Sequence, residues 1–410
     1  MSDRAILHSD ANSFYASVET VLDPRLRGRA VAVCGSTDER HGIVLAKSEA
    51  AKRCGIKTGM ITFEAQRLCK DLIIVHPHYD YYLKFSRLIH GIYRRYTDRV
   101  EPFGMDECWL DVTASARGPM EIAEEIRRSV EEELGLTVSI GVSFNKIFAK
   151  LGSDMKKPNA ITEISRDNFK EKVWPLPSSE LLYCGPATTE KLRRRMVYTI
   201  GDLAKQDGER IRKALGKCGY DLWRFANGLD DSRVAHEDYS APARSVGHGI
   251  TCVSDVETPE EAYKVLLALS QDIGYRLRLM NLRARGVHLI AKDTELYYHG
   301  WQARLEAPTQ DELAIANAAF SILRKNYVWR RYIRALTVAA IDLECASGAE
   351  QTVMFYDYEK QSKRRAIGAA LDDIREKYGK GAVKPCLILD EDKIPATNHD
   401  DVIMPGYMYR

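Results

Sequence analysis

Two rhythms alternate along the chain. Short apolar runs are interleaved with stretches in which apolar residues recur every three or four positions, the signatures of strand and helix. The run Ala5–Leu7 leads through His8-Ser9 to Asp10, and Phe14–Leu22 follows with a helical pattern. Ala30–Cys34 and Ile43–Ala46 read as strands, and Ser48–Cys54 as a helix closed by Gly55. Tyr82–Tyr96 is a long helical pattern, Phe103–Asp111 a Gly-led hairpin, and Met120–Glu133 a helix with Ile122, Ile126 and Val130 on one face. Thr137–Val142 is a strand, and Asn145–Leu151 opens a Lys-rich helix. Residues 173–236 read as all-helical. A polar stretch with Pro242, His236–Ala243, reads as a linker. Beyond it the pattern predicts strand Ser245–Val253, helix Pro259–Met280, strands Ala284–Ala291 and Glu295–Trp301, helix Gln310–Asn326 and strand Ile333–Leu343. That order is the split βαββαβ arrangement of a small α+β domain. Lys360–Tyr378 reads as a further amphipathic helix.

The chemistry concentrates at the hairpin. Asp106 and Glu107 follow Gly104 and precede an apolar run, so both carboxylates sit near a turn, where adjacent side chains can lean to one point. Asp10 ends the first strand. Hard oxygen donors from a strand end and a hairpin tip suit Mg²⁺, and paired divalent ions are the common device of in-line phosphoryl transfer. Taken alone, an Asp-Glu pair after a Gly is also the composition of a solvated turn. Phe14 and Tyr15 equally fit the packing face of an amphipathic helix.

Composition narrows the class. The chain has 410 residues, 45% of them hydrophobic, enough for several domains. A net charge of +2 means that any basic surface must be local. Nine scattered Cys without a Cys-x-x-Cys pair speak against a zinc site or a disulfide framework. No secretory core or membrane-length apolar run occurs, so a cytoplasmic location is expected.

Four motifs occur in order: Asp10-Ala11-Asn12-Ser13-Phe14-Tyr15-Ala16, Met105-Asp106-Glu107-Cys108-Trp109-Leu110-Asp111, Ser139-Ile140-Gly141-Val142-Ser143-Phe144-Asn145-Lys146 and Asp154-Met155-Lys156-Lys157-Pro158-Asn159. Together they resemble the Y-family of translesion DNA polymerases, in its bacterial polymerase IV and polymerase V branches. The resemblance covers about residues 4–390. It implies an α+β right-hand polymerase. Residues 1–21 and 83–172 would form an antiparallel-sheet palm, 22–82 small fingers, 173–236 a helical thumb, 237–243 a linker, 244–347 a little finger and 348–410 a tail. The implied activity is low-fidelity, template-directed addition of dNTPs to a primer 3′-OH, in damage tolerance and without a proofreading exonuclease. Primer–template DNA and dNTPs are the implied partners, two Mg²⁺ the implied cofactors, and a monomer the implied state.

The resemblance also assigns residues. Asp10, Asp106 and Glu107 would be the catalytic metal ligands, with the carbonyl of Ala11 completing one site. Phe14 would lie under the incoming sugar, and Tyr15 would be the steric gate that excludes a ribose 2′-OH. Lys52 and Lys157 would hold the triphosphate. Asn12 and Ser13 depart from the Asp-rich form and resemble the polymerase V branch, and Glu49 replaces a frequent Tyr. Cys184-Gly185-Pro186-Ala187 stands at a helix–hairpin–helix position with a degraded Gly pattern, so Gly185 would meet a DNA phosphate. An Arg cluster in the last domain (Arg244, Arg276, Arg278, Arg283, Arg285, Arg330, Arg331 and Arg334) would grip DNA backbones, with Arg244, Arg283, Arg285 and Arg334 as the named contacts. Gln351, Met354 and Phe355 resemble the peptide by which bacterial polymerases bind the sliding clamp. Two rival readings share part of this pattern: a nucleotide cyclase, which also uses strand-end acids, and a non-catalytic DNA- or clamp-binding scaffold.

Overall fold

The computed structural model describes residues 4–35, 42–347, 357–389 and 393–395. The chain divides into two compact units, one comprising residues 4–35 and 43–241, the other beginning at Pro242.

The first unit is built on a five-stranded sheet. Its strands are β1 (Ile6–Ala11), then, well beyond it in the chain, β5 (Val100–Pro102), β6 (Glu107–Asp111), β7 (Val138–Ser143) and β8 (Ile161–Ile164), in the order β5-β6-β1-β7-β8. Three of its four pairings, β5–β6, β6–β1 and β1–β7, are antiparallel, as the resemblance implies, while the edge pair β7–β8 is parallel. All six residues of β1 are buried, His8, Ser9 and Asp10 among them, as befits a central strand. Helices α1 (Phe14–Leu22), α4 (Tyr79–Tyr93), α5 (Pro119–Leu134) and α6 (Lys146–Met155) accompany the sheet. Local sequence sets their ends. Asn145 caps α6 by accepting a 2.8 Å hydrogen bond from the Phe148 N–H, and α5 starts with Pro119 at its first turn and ends on Gly135 at φ 66°.

Between α1 and α4 lies a small three-stranded sheet of β2 (Val31–Cys34), β3 (Val44–Lys47) and β4 (Ile73–Val75), ordered β3-β2-β4, with helices α2 (Glu49–Arg53) and α3 (Thr62–Leu68). After β8 come α7 (Phe169–Val173), α8 (Pro186–Arg193), α9 (Ile200–Ala204) and α10 (Gly208–Ala226). Their apolar faces share one core with Phe144, Ile147, Phe148 and Leu151 of the β7–α6 region. A buried ion pair braces the first unit: Lys146 Nζ lies 2.8 Å from Glu101 and 4.4 Å above the Trp109 ring, and Glu101 also accepts the Ala235 N–H at 2.9 Å.

The second unit contains β9 (Ser245–Val256), α11 (Pro259–Leu279), β10 (Leu282–Asp293), β11 (Tyr298–Thr309), α12 (Glu312–Asn326) and β12 (Ile333–Cys345), followed by α13 (Tyr358–Tyr378). Its sheet is antiparallel in the order β11-β10-β12-β9, and one core joins it to α11 and α12. This is the expected βαββαβ succession. The second hairpin strand runs to Thr309 instead of ending at Trp301, because Ala307 and Thr309 continue it into buried positions. Among the described residues no helix is long and apolar enough to cross a membrane.

Candidate active site

Strand register assembles the site. Asp10 of β1 stands directly opposite Glu107 of β6. The Ala11 N–H donates to the Asp106 carbonyl at 2.9 Å, drawing the hairpin over the end of β1. The turn closes through the Phe103 N–H, which donates to Glu107 O at 2.8 Å. Gly104 sits at φ 141°, a backbone conformation that glycine adopts without strain, and so suits the turn. From α4, the Ser86 hydroxyl donates to Met105 O at 2.6 Å and pins the hairpin from behind.

Asp10 and Glu107 thus face each other, Asp106 lies close enough to feel both charges, and two lysines pair with Asp10, Glu107 and the nearby Asp154. Lys150 Nζ is 3.1 Å from Asp10, 3.2 Å from Glu107 and 3.0 Å from Asp154. Lys157 Nζ is 2.7 Å from Asp10 and 2.8 Å from Asp154. Burial, followed by the charges of Asp10 and Glu107, pushes the Asp106 carboxyl up to about 7. Burial also opposes ionisation of Glu107, but the facing His8 ring and the Lys150 ammonium outweigh it and hold that carboxyl well below its usual range. Below Glu107, His8 is fully buried, and its Nδ1 is 2.9 Å from the Ser153 hydroxyl. Its Nε2 lies 3.6 Å from Glu107 Oε2, too far for a hydrogen bond, and neither buried atom has a hydrogen-bond partner.

The donor set fits a hard divalent cation. All three acids offer oxygen, Glu107 keeps an orphaned buried oxygen, and Asp106 is crowded by like charge that a cation would relieve. Among the described residues, no three His, Cys, Asp or Glu side chains are gathered at metal-ligating separation. Lys150 instead stands between Asp10 and Glu107 as their counter-charge.

Tyr15 lies on the first turn of α1, half-buried, with its hydroxyl 3.9 Å from Met105 Sδ. Its ring stacks on Tyr82, centroids 4.2 Å apart and planes 9° from parallel. Phe14 is 3% exposed and packs in the core beside it. Lys52, on α2, is exposed and 3.8 Å from Glu49, which accepts the Ser13 hydroxyl at 3.2 Å. The atypical Ser13 and Glu49 thus meet one another.

Gly185 is the N-cap of α8, with open space where a Cβ would be. In the second unit Arg244 is exposed, Arg334 lies 3.9 Å from Asp255, and Arg285 is half-exposed and ion-paired with Glu344. Arg283 corrects the expectation of a surface phosphate contact. It is 2% exposed and faces its cross-strand neighbour Glu344, 3.0 Å away. On a strand flanked on both sides, an ion pair is what makes burial of a guanidinium tolerable. Arg276 and Arg278 lie on α11 and pair with Asp272, and with Glu312 and Asp372. Gln351, Met354 and Phe355 lie outside the described residues.

Sequence reading missed Lys150, Ser86 and Tyr82. The spacing of Lys146, Lys150 and Asp154 by fours was the available signal for the first, since it places the three on one face of a helix.

Comparison with known proteins agrees with this geometry. Residues 9–154 match the impB/mucB/samB family, and residues 243–375 match the impB/mucB/samB family C-terminal domain. The DNA polymerase IV of Acetivibrio thermocellus is 45% identical over 391 residues, 95% of this chain and 98% of that one. The DNA polymerase IV of Moorella thermoacetica is 36% identical, over 93% of this chain and 95% of its own. A solved Y-family DNA polymerase chimera shares the fold, with a TM-score of 0.74 at 22% identity over 83% of this chain and 99% of that one. With both family models matched in order, and polymerase IV relatives covering nearly its whole length, the chain belongs to the impB/mucB/samB family, the Y-family DNA polymerases.

Proposed function

We infer that this chain is a template-directed DNA polymerase of the translesion type, adding dNTPs to a primer 3′-OH in damage tolerance. The observation that carries the reading is the register that sets Asp10 opposite Glu107, with Asp106 in the turn just before β6 and Tyr15 against the neighbouring Met105. Asp10, Asp106 and Glu107, with the Ala11 carbonyl, would hold two Mg²⁺. Bound there, the ions would supply positive charge to the triphosphate and lower the pKa of the primer hydroxyl.

The chain's own side chains prepare the rest. Lys157 now neutralises Asp10 and Asp154, and a triphosphate tail arriving beside it would take over that ammonium as a point charge. Lys150 pairs with Asp10 and, with His8, holds Glu107 ionised, ready as a ligand. Lys52 would reach the phosphates from α2. Tyr15 closes the place of a ribose 2′-OH. Residues 1–21 and 83–172 serve as palm, 22–82 as fingers, 173–236 as thumb and 244–347 as little finger. Gly185, Arg244, Arg285 and Arg334 face DNA backbones, where basic side chains grip without reading sequence. The segment Gln351–Phe355 is the proposed attachment to a sliding clamp, and the working state is a monomer in the cytoplasm.

Primer extension across a template carrying a single abasic site tests the translesion role. With Mg²⁺ the full chain is expected to insert opposite the gap and continue beyond it. Arrest one nucleotide before the gap, with normal extension of the intact template, would reject that role while leaving the polymerase activity standing.

A further inference from the structure

A buried acid that the chemistry above does not use lies one helical turn behind the steric gate. Tyr15 and Glu19 are four residues apart on α1 and so share a face. A single residue of α4 meets both. The Tyr82 ring lies flat on Tyr15, while its hydroxyl donates a short hydrogen bond to Glu19 Oε1. Tyr82 is 0% and Glu19 4% exposed. Burial first, and then this bond, pushes the Tyr82 phenol far above the ordinary tyrosine range, so it stays protonated and donates. His78 Nδ1 approaches both Glu19 oxygens, at 3.0 and 3.1 Å. Tyr79 stands edge-on to both rings, 6.0 Å from Tyr15 and 5.8 Å from Tyr82.

A buried carboxylate is costly unless its partners are fixed. An apolar residue at position 19 would pack α1 against α4 without that cost. What the acid adds is orientation. A stacked ring alone can slide and turn in its plane, whereas a ring held by its face and by its hydroxyl cannot.

We propose that Glu19 is a positioning residue for sugar selection. By holding the Tyr82 hydroxyl it fixes the ring on which Tyr15 rests, and so sets how firmly the site rejects a ribonucleoside triphosphate. The proposal rests on the reading of Tyr15 as the gate.

The test is single-nucleotide insertion, with kcat/KM measured for one dNTP and the matching rNTP. Wild type is compared with Tyr15→Ala, Glu19→Ala, Glu19→Gln and Tyr82→Phe. Tyr15→Ala is expected to lower the dNTP preference roughly 100-fold or more, as direct loss of a steric barrier. Tyr82→Phe, which removes the bond between the Tyr82 hydroxyl and Glu19, and Glu19→Ala, which removes that bond together with the His78 contact, should each lower it roughly five- to tenfold, through a rise in rNTP efficiency. Glu19→Gln keeps an oxygen that accepts the same hydroxyl and should stay within about twofold of wild type. The preference is a ratio within one preparation, so partial unfolding cancels. If Glu19→Ala lowers both efficiencies in parallel while Tyr15→Ala relaxes selection, Glu19 serves only the fold and the proposal falls. It falls also if Glu19→Gln behaves like Glu19→Ala. An unchanged preference in Tyr15→Ala would overturn the gate reading itself, and the proposal with it.

Discussion

Asp106→Asn is expected to abolish nucleotide insertion, by roughly a thousandfold or more in kcat/KM, while making the metal-free protein more stable. The two effects have one cause. Asp106 is buried beside Asp10 and Glu107, and in the described structure the lysines pair with those two acids. An amide keeps the shape of the carboxyl and removes the like-charge repulsion, for a gain on the order of 1–3 kcal/mol. The same amide is a poor ligand for a hard divalent cation, so the charge that the reaction needs is lost. Thermal denaturation in the presence of a chelator, beside primer extension with Mg²⁺, reads both. Opposite signs for stability and activity are the mark of a functional site held at the expense of the fold. A variant that loses activity and stability together would show instead that Asp106 is structural.

Gly141→Ala is expected to cost roughly 3 kcal/mol or more, by overpacking against backbone that cannot yield. A Cβ at Gly141 would lie 1.9 Å from the Ala149 carbonyl oxygen and 2.5 Å from the Ser153 nitrogen. On the facing helix, a Cβ at Gly152 would lie 3.2 Å from the Gly141 Cα. Strand β7 and helix α6 therefore touch backbone to backbone. That contact bears on the candidate site as well as on stability, because α6 bears Lys150 and Ser153, which contact Asp10, Glu107 and His8. The expected fall in Tm is on the order of 10 °C for a unit of this size. Gly91 is the contrasting case: it lies inside α4 with nothing within 4 Å of an added Cβ. Gly91→Ala should therefore stabilise by about 0.5–1 kcal/mol through helix propensity. Equal effects at the two positions would remove the packing argument.

What the sequence made legible follows from range. Helix and strand periodicity placed most elements, and Gly104 followed by two acids announced a hairpin tip without tertiary information. Short elements such as α3, β4 and β8 left no such trace, since their three to seven residues span at most about two periods, too few to establish a pattern. The register that sets Asp10 opposite Glu107 is fixed by pairing between segments almost 100 residues apart, which no local pattern encodes. Lys150 read as one more lysine in a basic helix, yet it is the group that neutralises two of the three acids. Arg283 was misjudged for the same reason: its charge is visible in the sequence, and its partner Glu344 on the neighbouring strand is not. The Tyr82 stack likewise joins α4 to a helix more than 60 residues earlier in the chain.

The most direct measurement is single-nucleotide insertion by the full chain with Mg²⁺, on four primed templates that differ only in the templating base. The account predicts that each template directs insertion of its complementary dNTP, and that insertion ceases when the primer or the template is withheld. A folded, DNA-binding protein that inserts nothing, or that inserts without regard to the templating base, would contradict it.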